Sequence, residues 1–232
     1  MTRKCSALLF DKDGTLFDFQ ATWGGWFAGV LRDLSGGDKA LEADLAAALS
    51  FDLQATRFQP DSPAIAGTLE EIVTRLIAAG AQQERDGLRV LLETSSADVA
   101  PAPVTALGPL FDRFAAAGLP CGLATNDAEA PARAQLDVLG LLPAFTFIAG
   151  YDSGFGAKPE PGQLLAFADL IGHAPNGIAM IGDSTHDLEA ARAAGMIAVG
   201  VLTGPSPRAE LAPHADLLVD SIADLPDWLG IA

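Results

Sequence analysis

Positive charge is what this chain has least of. Its 14 lysines and arginines face 30 aspartates and glutamates, a formal net charge of −16 at pH 7. Phosphate backbones and anionic lipid surfaces select basic patches, so this balance argues against nucleic-acid and membrane partners. Cysteine is scarce as well. Cys5 and Cys121 are the only two, far apart in sequence and too few for a disulfide framework. Cys121 lies inside an apolar run and reads as a small core residue. Half the residues are apolar, yet no run approaches the ~18 uncharged apolar residues of a membrane span. The apolar run before Asp11 is too short for a secretory signal, so the sequence predicts a cytoplasmic protein. No GxxxxGK[ST] occurs, which excludes a P-loop kinase.

What is present is a βα rhythm. Apolar runs at Ala7–Phe10, Cys121–Leu123, Phe145–Ala149, Ile178–Ile181, Ile197–Leu202 and Leu217–Val219 read as buried strands. Helix-period segments separate them: Ala106–Ala117, Pro131–Leu139, Pro161–Ile171, Asp187–Ala194 and a short one near Ile222–Leu229. Pro131 near the start and Gly140 just past the end bound the second of these helices. Strands alternating with helices imply a doubly wound parallel sheet.

One interval breaks the rhythm. More than a hundred residues separate Asp11 from the strand end at Thr125, where a βα unit needs roughly 30. The content is helical: Trp23–Leu34, Asp38–Leu49, Ala64–Ala79 and Asp86–Leu92, with Ser95–Pro103 as a return linker. The expected organisation is a catalytic core of residues 1–16 plus 102–232, with an α-helical cap at 17–101 inserted after the first strand.

Four short blocks then carry the chemistry: DKDGTLFD at Asp11–Asp18, ATN at Ala124–Asn126, KPEP at Lys158–Pro161 and GDSTHD at Gly182–Asp187. Three of them directly follow a strand, and ligands of open α/β sheets bind outside the carboxyl ends of the strands. Asp11 and Asp13 lie two apart, where strand geometry turns both to one side. One carboxylate can attack phosphorus, and a second can protonate the leaving alkoxide and then deprotonate water. Thr125 and Asn126 offer a hydroxyl and backbone N–H groups to phosphate oxygens, and the Lys158 ammonium offers charge. Asp183 and Asp187, four apart at a strand-to-helix turn, can face one Mg²⁺. Singly, each block has a plainer reading: an Asp-Gly turn, a helix cap, a solvated lysine. Their joint occurrence in this order favours one site.

This motif set resembles the haloacid dehalogenase superfamily, in particular its phosphoglycolate-phosphatase-like branch with a helical cap, over nearly the whole chain. The resemblance implies Asp11 as nucleophile, Asp13 as general acid/base, and Thr125, Asn126 and Lys158 as phosphate binders. It implies Mg²⁺ held by Asp11, the Asp13 carbonyl and Asp183, with Asp187 in attendance. Lys12 departs from the apolar residue often found between the two aspartates, and its side chain is expected to point away from the site. Asp13 counts against dehalogenase and phosphonatase activity, since those relatives depart at that position. The lone insert lysine, Lys39, has nothing to mark it as catalytic. A phosphomutase would share the whole constellation. A catalytically idle binding or regulatory module would have lost one of its carboxylates, and none is missing. The substrate implied is a small phosphorylated metabolite, phosphoglycolate by resemblance. The oligomeric state is open between monomer and homodimer. Trp23 and Trp26, at the opening of the insert, could wall a substrate pocket or pack the cap's own core.

Overall fold

The computed structural model describes residues 4–65, 67–96 and 99–231. Ala66, within the helix expected at 64–79, and Ala97 and Asp98, within the expected linker, lie outside them. Contacts divide the chain into two compact units, Met1–Asp18 with Pro103–Ala232, and Phe19–Ala102. Phe17 stays with the first unit because its backbone bridges both Asp13 and Pro103.

In the first unit, strand β1 (Ala7–Phe10) leads to the excursion. The second unit follows, with helices α1 (Phe19–Ser35) and α2 (Lys39–Ala48), a hairpin of β2 (Phe51–Asp52) and β3 (Arg57–Phe58), and helices α3 (Leu69–Ala78) and α4 (Arg85–Ser96). The hairpin was not expected. Its strands are two residues long, below any periodicity signal, with Ser50 just before β2 and Thr56 in the turn at positive φ. Helix α3 starts at Leu69, not Ala64. Glu71 accepts a bond from the Thr68 N–H and fixes the start there, as a Thr-x-x-Glu box does. Phe27, Phe51 and Phe58 meet with centroids 4.8–5.2 Å apart and anchor this unit's core.

The first unit resumes with α5 (Leu107–Ala116), β4 (Cys121–Ala124), α6 (Glu129–Val138), β5 (Phe147–Ala149), α7 (Gly162–Ile171), β6 (Ile178–Gly182), α8 (Thr185–Ala194), β7 (Ile197–Val201), α9 (Arg208–Leu211), β8 (Leu217–Val219) and α10 (Leu225–Leu229). The sheet runs in the order β5-β4-β1-β6-β7-β8, and every pair is parallel. Side chains alternate along β1. Leu8 and Phe10 enter a core with Phe111, Phe114 and Leu136, while Ala7 and Leu9 enter another with Leu164, Phe167 and Leu188. Helices therefore cover both faces, and β1 is buried throughout. Among the described residues no helix is long and apolar enough to cross a membrane.

Sheet order decides where a site can form. From β1 the chain adds β4 and β5 on one side, then returns to place β6, β7 and β8 on the other. Connections thus diverge on either side of β1, and the crevice outside its carboxyl end is the switch point of the sheet.

Candidate active site

Register brings the blocks together before any side chain is considered. Phe10 pairs with Leu123 on one side and Ile181 on the other, so β1, β4 and β6 end nearly level. The Asp11 N–H continues the ladder by donating to the Ile181 carbonyl at 2.8 Å. Asp11, Thr125 and Asp183 each follow the last residue of a strand. Asp187 lies in the first turn of α8, and Lys158 reaches in from the loop before α7.

Lys158 organises the centre. Its ammonium donates to Asp11 Oδ1 at 2.6 Å, to Asp187 Oδ1 at 2.6 Å and to the Ala124 carbonyl at 2.8 Å. All three protons therefore have acceptors. Burial alone would favour the neutral amine, but the charges of Asp11 and Asp187 outweigh it and hold the lysine pKa above its usual value. The carboxylates feel the opposite balance. Burial raises the Asp11 pKa to about 7, with Lys158 opposing and Asp187 adding to the rise. Burial, then the charges of Asp11 and Asp187, push Asp183 well above the usual carboxylate range.

This imbalance, three buried carboxylates to one ammonium, is a place short of positive charge. Oxygens from Asp11, Asp183 and Asp187 lie within 4.8 Å of one another. An all-oxygen donor set of this kind suits a hard divalent cation such as Mg²⁺. Asp187 is the most committed to protein, because its second oxygen accepts from the Ser184 N–H at 3.1 Å and Oγ at 2.7 Å.

The turn after Asp11 is folded around the Lys12 carbonyl, which accepts from the N–H groups of Thr15, Leu16 and Phe17. Gly14 has φ 85° and lies against Asp183, where a Cβ would strike the carboxylate. Thr15 Oγ1 is 3.3 Å from Asp183 Oδ1, and Thr203 Oγ1 donates to the Gly14 carbonyl at 2.6 Å.

Asp13 is half-buried, and its carboxylate is outside the three-carboxylate cluster. The expectation for Lys12 needs correction. Its Nζ sits 2.7 Å from Asp13 Oδ2 and also reaches Asp127 and, on α6, Gln135. Thr125 Oγ1 accepts from the Asp127 N–H at 3.0 Å and so shapes its own loop. The Asn126 side chain bonds the Lys158 backbone at both N–H and C=O. Sequence reasoning missed three contributors. Gln163, fully buried, donates to the carbonyls of Thr125 and Gly156 and ties two loops together. Ser184 was seen only as part of a block. Gly204 lies so close to Asp183 that a Cβ there would overlap the carboxylate. The available signal was Thr203-Gly204 just past β7, the strand next to β6.

Fold and site together define a hydrolase of the haloacid dehalogenase type. The haloacid dehalogenase-like hydrolase family profile matches residues 5–195, and the chain belongs to that family. Phosphoglycolate phosphatase of Shigella dysenteriae serotype 1 is 32% identical over 242 residues, covering 88% of this chain and 92% of that protein. Phosphoglycolate phosphatase of Rhodospirillum rubrum is 37% identical over 136 residues, which span 59% of this chain and 55% of that protein's length. The crystal structure of a predicted phosphoglycolate phosphatase from Haemophilus somnus 129pt superposes with a TM-score of 0.75 at 18% identity, covering 98% of this chain and 99% of that one.

Proposed function

We propose that the protein is a Mg²⁺-dependent phosphatase that hydrolyses a small phosphate monoester, of the phosphoglycolate type, through an aspartyl-phosphate on Asp11. The observation that carries this reading is the Lys158 ammonium fixed by three buried acceptors with Asp11 among them. A carboxylate positioned this tightly at a strand end is arranged to attack. The names of the Shigella and Rhodospirillum relatives support the substrate class.

Lys158 occupies Asp11 Oδ1, which leaves Oδ2 to attack phosphorus. The new Oδ2–P bond forms as the bond from phosphorus to the ester oxygen breaks, and Asp13 gives that oxygen its proton. Asp13, now ionised, takes a proton from water. The hydroxide formed attacks phosphorus, the Oδ2–P bond breaks, and inorganic phosphate leaves with Asp11 restored. The Thr125 N–H is committed to the Ala149 carbonyl at 3.0 Å, so the Thr125 hydroxyl, with the Lys158 charge, would hold the non-reacting phosphoryl oxygens. Asp11, the Asp13 carbonyl and Asp183 would hold Mg²⁺, with Asp187 behind them. Bound there, Mg²⁺ supplies the charge that offsets repulsion between Asp11 and a dianionic phosphate.

A panel of phosphate monoesters assayed with Mg²⁺ for released inorganic phosphate tests the reading, with Asp11→Asn as control. Release from small carboxylated or hydroxylated esters, lost in the variant, is expected. Isomerisation of a sugar phosphate without phosphate release would identify a mutase, and no turnover at all would identify an idle module.

A further inference from the structure

Lys12 is the second lysine sunk in the core, and the chemistry above gives it no task. It is fully buried. Its ammonium lies 2.7 Å from Asp13 Oδ2, 3.1 Å from Asp127 Oδ2 and 2.6 Å from Gln135 Oε1. Burying an ammonium is costly, and an apolar side chain facing α6 would fill the same space without that cost. A role as packing alone therefore does not account for it.

The partners lead back to the site. Asp127 is fixed at its other oxygen by the Ala128 N–H at 2.8 Å, and its own N–H donates to Thr125 Oγ1. Gln135 is buried in the middle of α6. Lys12 thus bonds to Asp127, itself fixed by the Ala128 N–H, and to Gln135 on α6, and also contacts Asp13 Oδ2. A cation held at that oxygen restricts the rotamers open to the Asp13 carboxylate.

We propose that Lys12 is a positioning residue for Asp13, holding Oδ2 and so fixing the orientation in which the carboxyl meets the leaving oxygen. This inference rests on Asp13 being the general acid of the proposed phosphatase. Lys12 touches no reacting atom, so its influence is confined to steps in which Asp13 moves a proton.

The test compares an alkyl phosphate (phosphoglycolate, or the best alkyl ester of the panel) with p-nitrophenyl phosphate, whose leaving group needs no proton. The parameter is kcat/KM, which reports steps through leaving-group departure. Lys12→Met should lower it by about 10–100-fold on the alkyl ester, part of the ~10²–10⁴ that a general acid contributes. On the aryl ester the loss should stay under about threefold. Adding Lys12→Met to Asp13→Asn should change neither value by more than about twofold, since the residue acts through Asp13. Equal losses on both esters, or a further full loss in the double variant, would overturn the proposal. Should Lys12→Met fail to fold, Gln135→Met removes the 2.6 Å anchor and keeps the cation. A loss confined to the alkyl ester supports the proposal, and a uniform loss or none overturns it. If Asp13→Asn itself slows both esters alike, its acid role fails and takes this inference with it. If Asp13→Asn is selective and Lys12→Met is not, only the inference fails.

Discussion

Asn126 holds Lys158 by its backbone. The Asn126 amide donates to the Lys158 carbonyl at 2.9 Å and accepts from the Lys158 N–H at 2.8 Å, closing a ring between two blocks 32 residues apart. The ammonium that meets Asp11 is therefore placed from its own main chain as well as from its three acceptors.

Asn126→Ala should accordingly impair catalysis through Lys158. A shift of about 1 Å in a catalytic group can cost ~10²-fold, and a loss of that order in kcat/KM is expected. Steady-state kinetics beside a thermal melt checks it. Wild-type kcat/KM in a folded variant would show that the acceptors alone position the ammonium.

Metal binding should appear in stability as well as turnover. Because burial and Asp187 lift the Asp11 pKa from 3.8 to about 7, chelated protein favours the protonated carboxyl relative to the unfolded chain. That contribution is complete below about pH 4 and is lost as pH rises through 7. Chelated protein should thus melt lower at pH 8 than a model without this shift requires, and Mg²⁺ should raise Tm more at pH 8 than at pH 5. At 100 times Kd the gain is about 2.7 kcal/mol. Asp183→Asn should abolish the Mg²⁺ response, and a response independent of Asp183 would place the metal elsewhere.

Gly204 is a second probe of the same carboxylate. A methyl group there collides with Asp183, so Gly204→Ala should weaken the Mg²⁺-dependent rise in Tm and lower kcat together. A melt titration with Mg²⁺ reads the first and an assay at saturating substrate the second. Unchanged values for both would mean that Asp183 has room to move.

Trp23 is buried in the second unit's core, edge-on to Trp26 at 5.4 Å. Its environment favours the core reading of this residue over the pocket-wall reading. Trp23→Ala should destabilise by ~3–5 kcal/mol, while the ranking of substrates by kcat/KM stays as in wild type. A reordered ranking with unchanged stability would restore the pocket-wall role.

The strands were legible because Ala7–Phe10 and Ile178–Ile181 are short continuous apolar runs, as buried parallel strands must be. Asp11, Lys158, Asp183 and Asp187 were legible because each sits where a strand or its following loop delivers it, and the structure brings all four together. The β2–β3 hairpin was not, since two-residue strands carry no period. Lys12 was misjudged for a different reason. A lysine is long enough to bring its ammonium to the carboxylate of Asp13, its neighbour in the chain. Gln163 and Gly204 act through contacts between distant segments, which no local pattern encodes.

The measurement closest to the central claim is a trap of the phosphorylated enzyme. Asp13→Asn, mixed with p-nitrophenyl phosphate, whose leaving group needs no proton, and Mg²⁺ and quenched in acid, should accumulate one phosphoryl group because it lacks the base for the second step. Peptide mapping by mass spectrometry should place that group on Asp11, and it should be absent when Asp11→Asn is added. A phosphoryl group on any other residue, or full turnover by Asp11→Asn, would contradict the account.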